Sequence, residues 1–168
     1  KVLKKAEELK KSLGEGTKLD DRDGYSPGWK FNEYELKGVP LRIELGPKDL
    51  EKDEVVVFRR DTRNKESVKI KDLKEYVDKT LDAIQKNLYK QSKKNIEENI
   101  VEVKDMKQMK KAIDDRKLAL AISCGEESCE DYLKDKTGGA KSLNIPYGKP
   151  AKGKCVQCSK PAIEKILY

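Results

Sequence analysis

The 168 residues suffice for one ordinary domain or two small ones, and a hydrophobic fraction of 36% predicts thin cores. Charged residues make up 41% of the chain, with 38 Lys and Arg against 31 Asp and Glu; this mixed surface with a modest positive excess permits a polyanion partner without requiring one. The absence of His excludes Ser/His/Asp and Cys/His nucleophilic catalysis and His-bound metals, while the absence of an apolar run near the roughly 18 residues of a membrane span, or of a charged start with an apolar signal region, sets the expectation of a soluble, cytoplasmic protein.

From Val2 to Leu13, apolar Val2, Ala6, Leu9 and Leu13 recur at helical spacing among lysines and glutamates, which predicts an amphipathic helix ended by Gly14 and Gly16. A short strand is expected over Thr17–Asp20. Ser26-Pro27 then signals the start of a helix over Gly28–Leu36, which Gly38 stops. Residues Val39 to Leu45 alternate strictly, with Val39, Leu41, Ile43 and Leu45 on one face and Arg42 and Glu44 on the other, the pattern of a half-buried strand.

Gly46-Pro47 breaks that strand. Val55 to Phe58 reads as a buried strand whose basic end, Arg59-Arg60, emerges at the rim of the sheet, and a turn near Asn64 leads to a strand over Ser67–Ile70. From Lys71 to about Asn99 the spacing of Leu73, Val77, Leu81, Ile84, Leu88 and Ile96, without Gly or Pro, predicts one long helix bridging two domains. A strand near Val101, a helix over Asp105–Asp115 and a buried strand over Leu118–Ile122 follow, and Asn144 to Lys154 reads as an exposed loop. Alternating strands and helices place both pieces in the mixed α/β classes.

The four cysteines stand as Cys124-x4-Cys129 and Cys155-x2-Cys158, separated by a 25-residue gap. Two short loops that each offer two sulfurs can close a tetrahedral thiolate shell around zinc; such a filled shell is structural, because it leaves no open position. Gly125 and Lys160-Pro161 supply the tight reversals that the loops need. Two disulfides are the first alternative, which close pairing of the cysteines in a reducing cytosol disfavours. A redox role for Cys155-x2-Cys158 is the second, and it lacks the usual position at the start of a helix after a strand.

The run Asp20-Asp21-Arg22-Asp23-Gly24-Tyr25-Ser26-Pro27-Gly28-Trp29-Lys30-Phe31-Asn32-Glu33-Tyr34-Glu35-Leu36-Lys37-Gly38-Val39-Pro40 resembles the anticodon-binding domain of prolyl-tRNA synthetases of the archaeal and eukaryotic type. Leu41 to Leu50 and Val57 to Thr62 look like that family's next two strands. Ala121 to Gly125 with Cys129-Glu130, and Gly153 to Ala162, are similar to its C-terminal zinc-site domain. The resemblance implies an α/β fold: a mixed-sheet class II synthetase anticodon-binding domain over 1–70, a long connecting helix over 71–99 and a small α+β zinc-site domain over 100–168. The family's catalytic domain, with its ATP, magnesium and proline sites, has no counterpart here, and neither does an apolar strand ahead of the first helix. The chain is therefore expected to be a fragment, with a gap in its sheet and no aminoacylating activity alone, of an ATP-dependent proline–tRNA ligase.

What the resemblance implies for function is recognition of the anticodon loop of tRNA(Pro), whose anticodons share two adjacent guanines. Guanine N1–H and N2–H2 are donors and a carboxylate only accepts, so Glu33, four residues after Trp29 on one helix face, pairs an acceptor with a stacking ring. Arg42 and Lys48, flanking a strand end and a Gly-Pro turn, and Arg22 are the candidate cations for guanine O6 and N7 or a phosphate. Arg59 and Arg60 are expected to position phosphates. Against these stand a core Trp29, a solvated Glu33, and an Arg42 ion-paired near Glu44. The family also implies contact of the zinc-site domain with the enzyme's own catalytic domain, a homodimeric parent, and a terminal Tyr168 reaching toward that active site. The competing function is a zinc-organised scaffold that docks on another protein domain without reading RNA, using the long helix and the four-cysteine module.

Overall fold

The computed structural model describes residues 1–148 and 150–168. It divides into two compact units, Lys1–Gln91 and Ser92–Tyr168. Of the expected loop Asn144–Lys154, Lys149 lies outside the described residues.

The first unit opens with α1 (Val2–Leu13), which places Leu9 against the core and ends at Gly14, whose φ of 82° suits a residue without Cβ. The segment Thr17–Asp20, expected to be a strand, has no ladder partner among the described residues. Its polar groups are spent locally: Thr17 N–H donates to Gly14 O, while Asp20 receives Arg22 and Lys30 on its side-chain and main-chain oxygens. Helix α2 (Pro27–Leu36) follows, started by Ser26, whose hydroxyl accepts from Trp29 N–H at 3.3 Å, with Pro27 at the first helical position.

Strand β1 (Leu41–Glu44), the short helix α3 (Pro47–Glu51), β2 (Glu54–Arg59) and β3 (Lys65–Lys69) complete the unit's sheet, ordered β1-β2-β3 with both pairings antiparallel. Period-two alternation sends Leu41 and Ile43 to one face, where they join Val55, Val57, Val68, Leu9, and Leu73 and Val77 of helix α4 (Leu73–Asn99) in a single apolar cluster. The opposite face carries the cross-strand row Arg42, Phe58 and Lys65. Burial of one face thus fixes which side chains are left for α2 and solvent.

In the second unit, β4 (Ile100–Glu102), α5 (Met106–Asp114), β5 (Leu118–Ser123), α6 (Glu127–Lys136) and β6 (Glu164–Leu167) form a mixed sheet ordered β4-β5-β6. The β4–β5 pair is parallel and is crossed over by α5, while β5–β6 is antiparallel. Asp105 caps α5 by accepting from Gln108 N–H at 2.8 Å. Met109, Ala112, Ala119, Ala121, Leu133, Ile166 and Tyr168 share the core. Three elements here or upstream, α3, α6 and β6, go beyond the sequence reading; each is short or mostly polar.

Candidate nucleic-acid interface and metal centre

The sequence-derived site residues fall into separate groups. Arg22, Trp29 and Glu33 come together at the start of α2. Tyr25 and Trp29 stack with ring centroids 4.1 Å apart and planes 20° from parallel, and both remain nearly half exposed. The Arg22 guanidinium lies over both rings, 4.8 Å from Tyr25 and 5.5 Å from Trp29, and donates to Asp20 at 2.7 Å and to Glu33 Oε2 at 2.5 Å. Lys37 takes the other oxygen of Glu33. Both Glu33 oxygens are therefore engaged, and Arg22 first, then Lys37, holds that carboxyl below the ordinary range. The indole is not core: it keeps 46% of its surface exposed.

Arg42 lies elsewhere, held beneath α2 on the polar side of the sheet. Its guanidinium is sandwiched between the rings of Phe31 at 3.9 Å and Phe58 at 4.2 Å. Nε donates to Glu44 and Nη1 to Glu35 Oε1, each at 2.9 Å. Glu35 has no partner for its second oxygen among the described residues and its side chain is 39% exposed, and Lys65, bonded to Glu44 at 3.0 Å, also lies near the Phe31 ring. The sequence reading missed Phe31 and Glu35. Their signal was present, since an aromatic ring and an acid recur at the same four-residue spacing as Trp29 and Glu33, shifted by two positions. At 100° per residue the two pairs occupy opposite sides of α2, so they serve different surfaces.

Lys48 stands exposed in the first turn of α3, without an ion pair among the described residues. Arg59 is turned inward onto Asp61, with Nη2 to Oδ2 at 2.9 Å; Asp61, only 1% exposed, also receives Asn87 from α4 at 2.7 Å. Arg60 is exposed. Tyr168 is buried within the second unit's core at 4% exposure, its main chain paired with Ala119 in both directions and its hydroxyl without a hydrogen-bond partner among the described residues. Burial, reinforced by Glu130, pushes that phenol up to about 12.

The four cysteines converge as free thiols. Their sulfurs all lie within 4.8 Å of one another, with Cys124 Sγ 3.7 Å from Cys129 Sγ and 3.6 Å from Cys158 Sγ. Four thiolates at about 2.3 Å from a central ion stand ~3.8 Å apart, so the cluster already has the dimensions of a tetrahedral zinc shell. The chain reverses tightly around it: Gly125 has φ 75° with Ile163 Cδ1 2.8 Å from where a Cβ would be, and Ser159 N–H closes onto Cys155 O at 3.1 Å. Burial alone would raise the Cys155 thiol, yet the main-chain amides of Cys158 and Gln157 aimed at its sulfur outweigh it and bring it to about 6. Burial and the neighbouring Cys158 push Cys129 up to about 12. Sulfurs this close, with amides donating to one of them, suit a cation in their midst.

The family model described as anticodon binding domain matches residues 1–80, and the one described as prolyl-tRNA synthetase, C-terminal, matches residues 106–168. Against a proline–tRNA ligase of Oceanobacillus iheyensis the chain is 41% identical over 169 residues, covering 99% of this chain and 35% of that protein. It is 42% identical to one of Alkaliphilus oremlandii over 96% of this chain and 34% of that protein, and 38% identical to proline–tRNA ligase 2 of Clostridioides difficile over 94% and 33%. The chain spans about a third of the length of the curated relatives it matches.

Proposed function

We propose that this chain, which belongs to the prolyl-tRNA synthetase family, binds the anticodon loop of tRNA(Pro) at α2 and the sheet face beneath it, as the RNA-reading part of an ATP-dependent proline–tRNA ligase. The observation that carries this reading is the Glu35–Arg42 pair, set between two aromatic rings with one carboxylate oxygen lacking a partner among the described residues.

The Watson-Crick edge of guanine presents the O6 acceptor beside the N1–H and N2–H2 donors. A carboxylate next to a guanidinium presents the complementary order, with Glu35 Oε2 accepting and Arg42 donating. Because Phe31 and Phe58 hold the guanidinium from both sides, little rotamer freedom is lost when a base arrives, and each well-formed two-bond contact discriminates by about 1 to 3 kcal/mol. Trp29, exposed on the other side of α2, supplies a stacking surface worth about 1 to 3 kcal/mol for any base. Glu33, with both oxygens taken, orients Arg22 beneath that stack. Lys48 and Arg60 contribute phosphate contacts, and Arg59, committed to Asp61, is a structural residue.

The four cysteines hold zinc, which supplies a structural cross-link and no open coordination position. Activation of proline with ATP and magnesium belongs to the part of the relatives that this chain does not span, and the terminal Tyr168 anchors the second unit's core.

The test is fluorescence anisotropy of the full chain with an anticodon stem-loop carrying two adjacent guanines and one with both replaced by adenine. Glu35→Ala and Arg42→Ala are expected to erase most of the preference, whereas Trp29→Ala weakens both loops alike. Retained preference in both Glu35→Ala and Arg42→Ala contradicts the assignment. Protein docking by the second unit is favoured by the exposed Leu143, Ile145 and Ile163; indifference of every α2 variant to RNA would leave that reading standing.

A further inference from the structure

Unit two carries a cleft that the anticodon-reading account does not use. It is an open groove between α5 and α6 of about 580 Å³, lined by Met106, Lys107, Lys110, Lys111, Tyr132 and Lys136, together with two acidic residues. On α5, Met109 and Ala112 face the core, and at 100° per residue Lys107, Lys110 and Lys111 fall together on the side away from them. None of the three makes an ion pair among the described residues, although Asp114 and Asp115 line the same cleft and Lys136 pairs with Asp135 at 3.6 Å. From α6, Tyr132 offers a ring 42% exposed, and Lys136, four residues on, holds its ammonium 5.6 Å from that ring's centre.

We propose that this cleft binds a single-stranded RNA backbone without reading its sequence. Four ammonium groups against the carboxylates of Asp114, Asp115 and Asp135 leave a net charge of +1, with Lys107, Lys110 and Lys111 left to meet phosphates. The space admits a nucleotide. An aromatic face among flexible cations is the combination that holds unpaired strands, because every base has a face to stack while lysines follow the phosphates. An acidic peptide would use the lysines but gain little from Tyr132, which is why RNA is the better-matched partner.

The experiment uses the full chain in a Trp29→Ala background, which removes the any-base stacking surface at α2, and a fluorescent uridine dodecamer, which has no guanine for Glu35 and Arg42 to read, titrated across salt concentrations. Replacing Lys107, Lys110 and Lys111 with Gln together is expected to weaken binding about tenfold and to lower the salt slope by about 2, since each lost phosphate contact removes about 0.7 on a single strand. Tyr132→Ala is expected to weaken it about tenfold with the slope unchanged. Circular dichroism checks the fold, and should the triple variant be disturbed, Lys107→Gln and Lys111→Gln singly carry the test, each lowering the slope by about 0.7. Affinity and slope unchanged from that background in these variants overturn the proposal, as does equal binding of polyglutamate through the same lysines. Arg42→Ala, which tests guanine reading, is expected to leave the uridine slope unchanged, so the two readings fail separately.

Discussion

Arginines in this chain look alike in sequence and differ in what their neighbours leave free. Arg42 is packed between two rings with an acid that retains an open oxygen, Arg22 underlies a stacked pair, and Arg59 is committed to Asp61. The Asp61 carboxyl, nearly inaccessible and bonded to both Arg59 and Asn87, is held below the ordinary carboxylate range, chiefly by Arg59 and secondarily by Asn87. Because its folded value is depressed, its contribution is complete above the unfolded value of about 4 and disappears as pH falls through the folded value. Asp61→Asn is therefore expected to destabilise the first unit by about 2 kcal/mol near neutrality, the worth of a hydrogen bond to a charged group. The gap to wild type should close in thermal melts well below pH ~4, whereas a gap independent of pH would show that packing, not ionisation, carries the effect.

At the scale of elements, α1, α2 and α4 were legible because apolar spacing, Ser26-Pro27 and the glycines all agree on them. So were β2 and β5, although only Val55 and Val57 of the β2 run are buried, whereas Ala119, Leu120 and Ala121 of β5 are buried in succession. Thr17–Asp20 misled because extended residues become a strand only with a partner, and Asp20 instead gathers Arg22 and Lys30. Helix α6 was hidden because only Cys129 and Leu133 of its ten residues are buried, too few to display a period. Strand β6 depends on register with β5, more than forty positions upstream, which no local pattern reports. Of the candidate site, the cysteine quartet was fully readable from spacing, whereas the Glu35–Arg42 pair was not, since only the packing of α2 on the sheet brings them into contact.

The cysteine elements carry a prediction of their own. Purified under reducing conditions with zinc, the chain should hold one ion, measured by elemental analysis, and Cys155→Ser should abolish stoichiometric binding and lower the melting temperature of the second unit. Chelation should reproduce that loss, and affinity should fall as pH falls, because thiols must be deprotonated to bind metal. Full zinc retention in Cys155→Ser would remove the four-sulfur shell from the account.

Over the whole molecule, a chain with 41% charged residues and two thin cores holds its polar groups in organised arrays, with paired charges at α2 and along the sheet and, among the described residues, three lysines of α5 without ion pairs at the α5–α6 cleft. Binding by this chain alone is expected to be weak, because the linked contacts that a longer ligase makes along a tRNA would add through effective concentration. The most direct measurement of the central claim is the ratio of affinities of the unmodified chain for an anticodon stem-loop with two adjacent guanines and for the same loop with adenines, taken at one fixed salt concentration. A ratio of about tenfold or more in favour of guanine is predicted from one well-formed two-bond contact; equal affinities would contradict it.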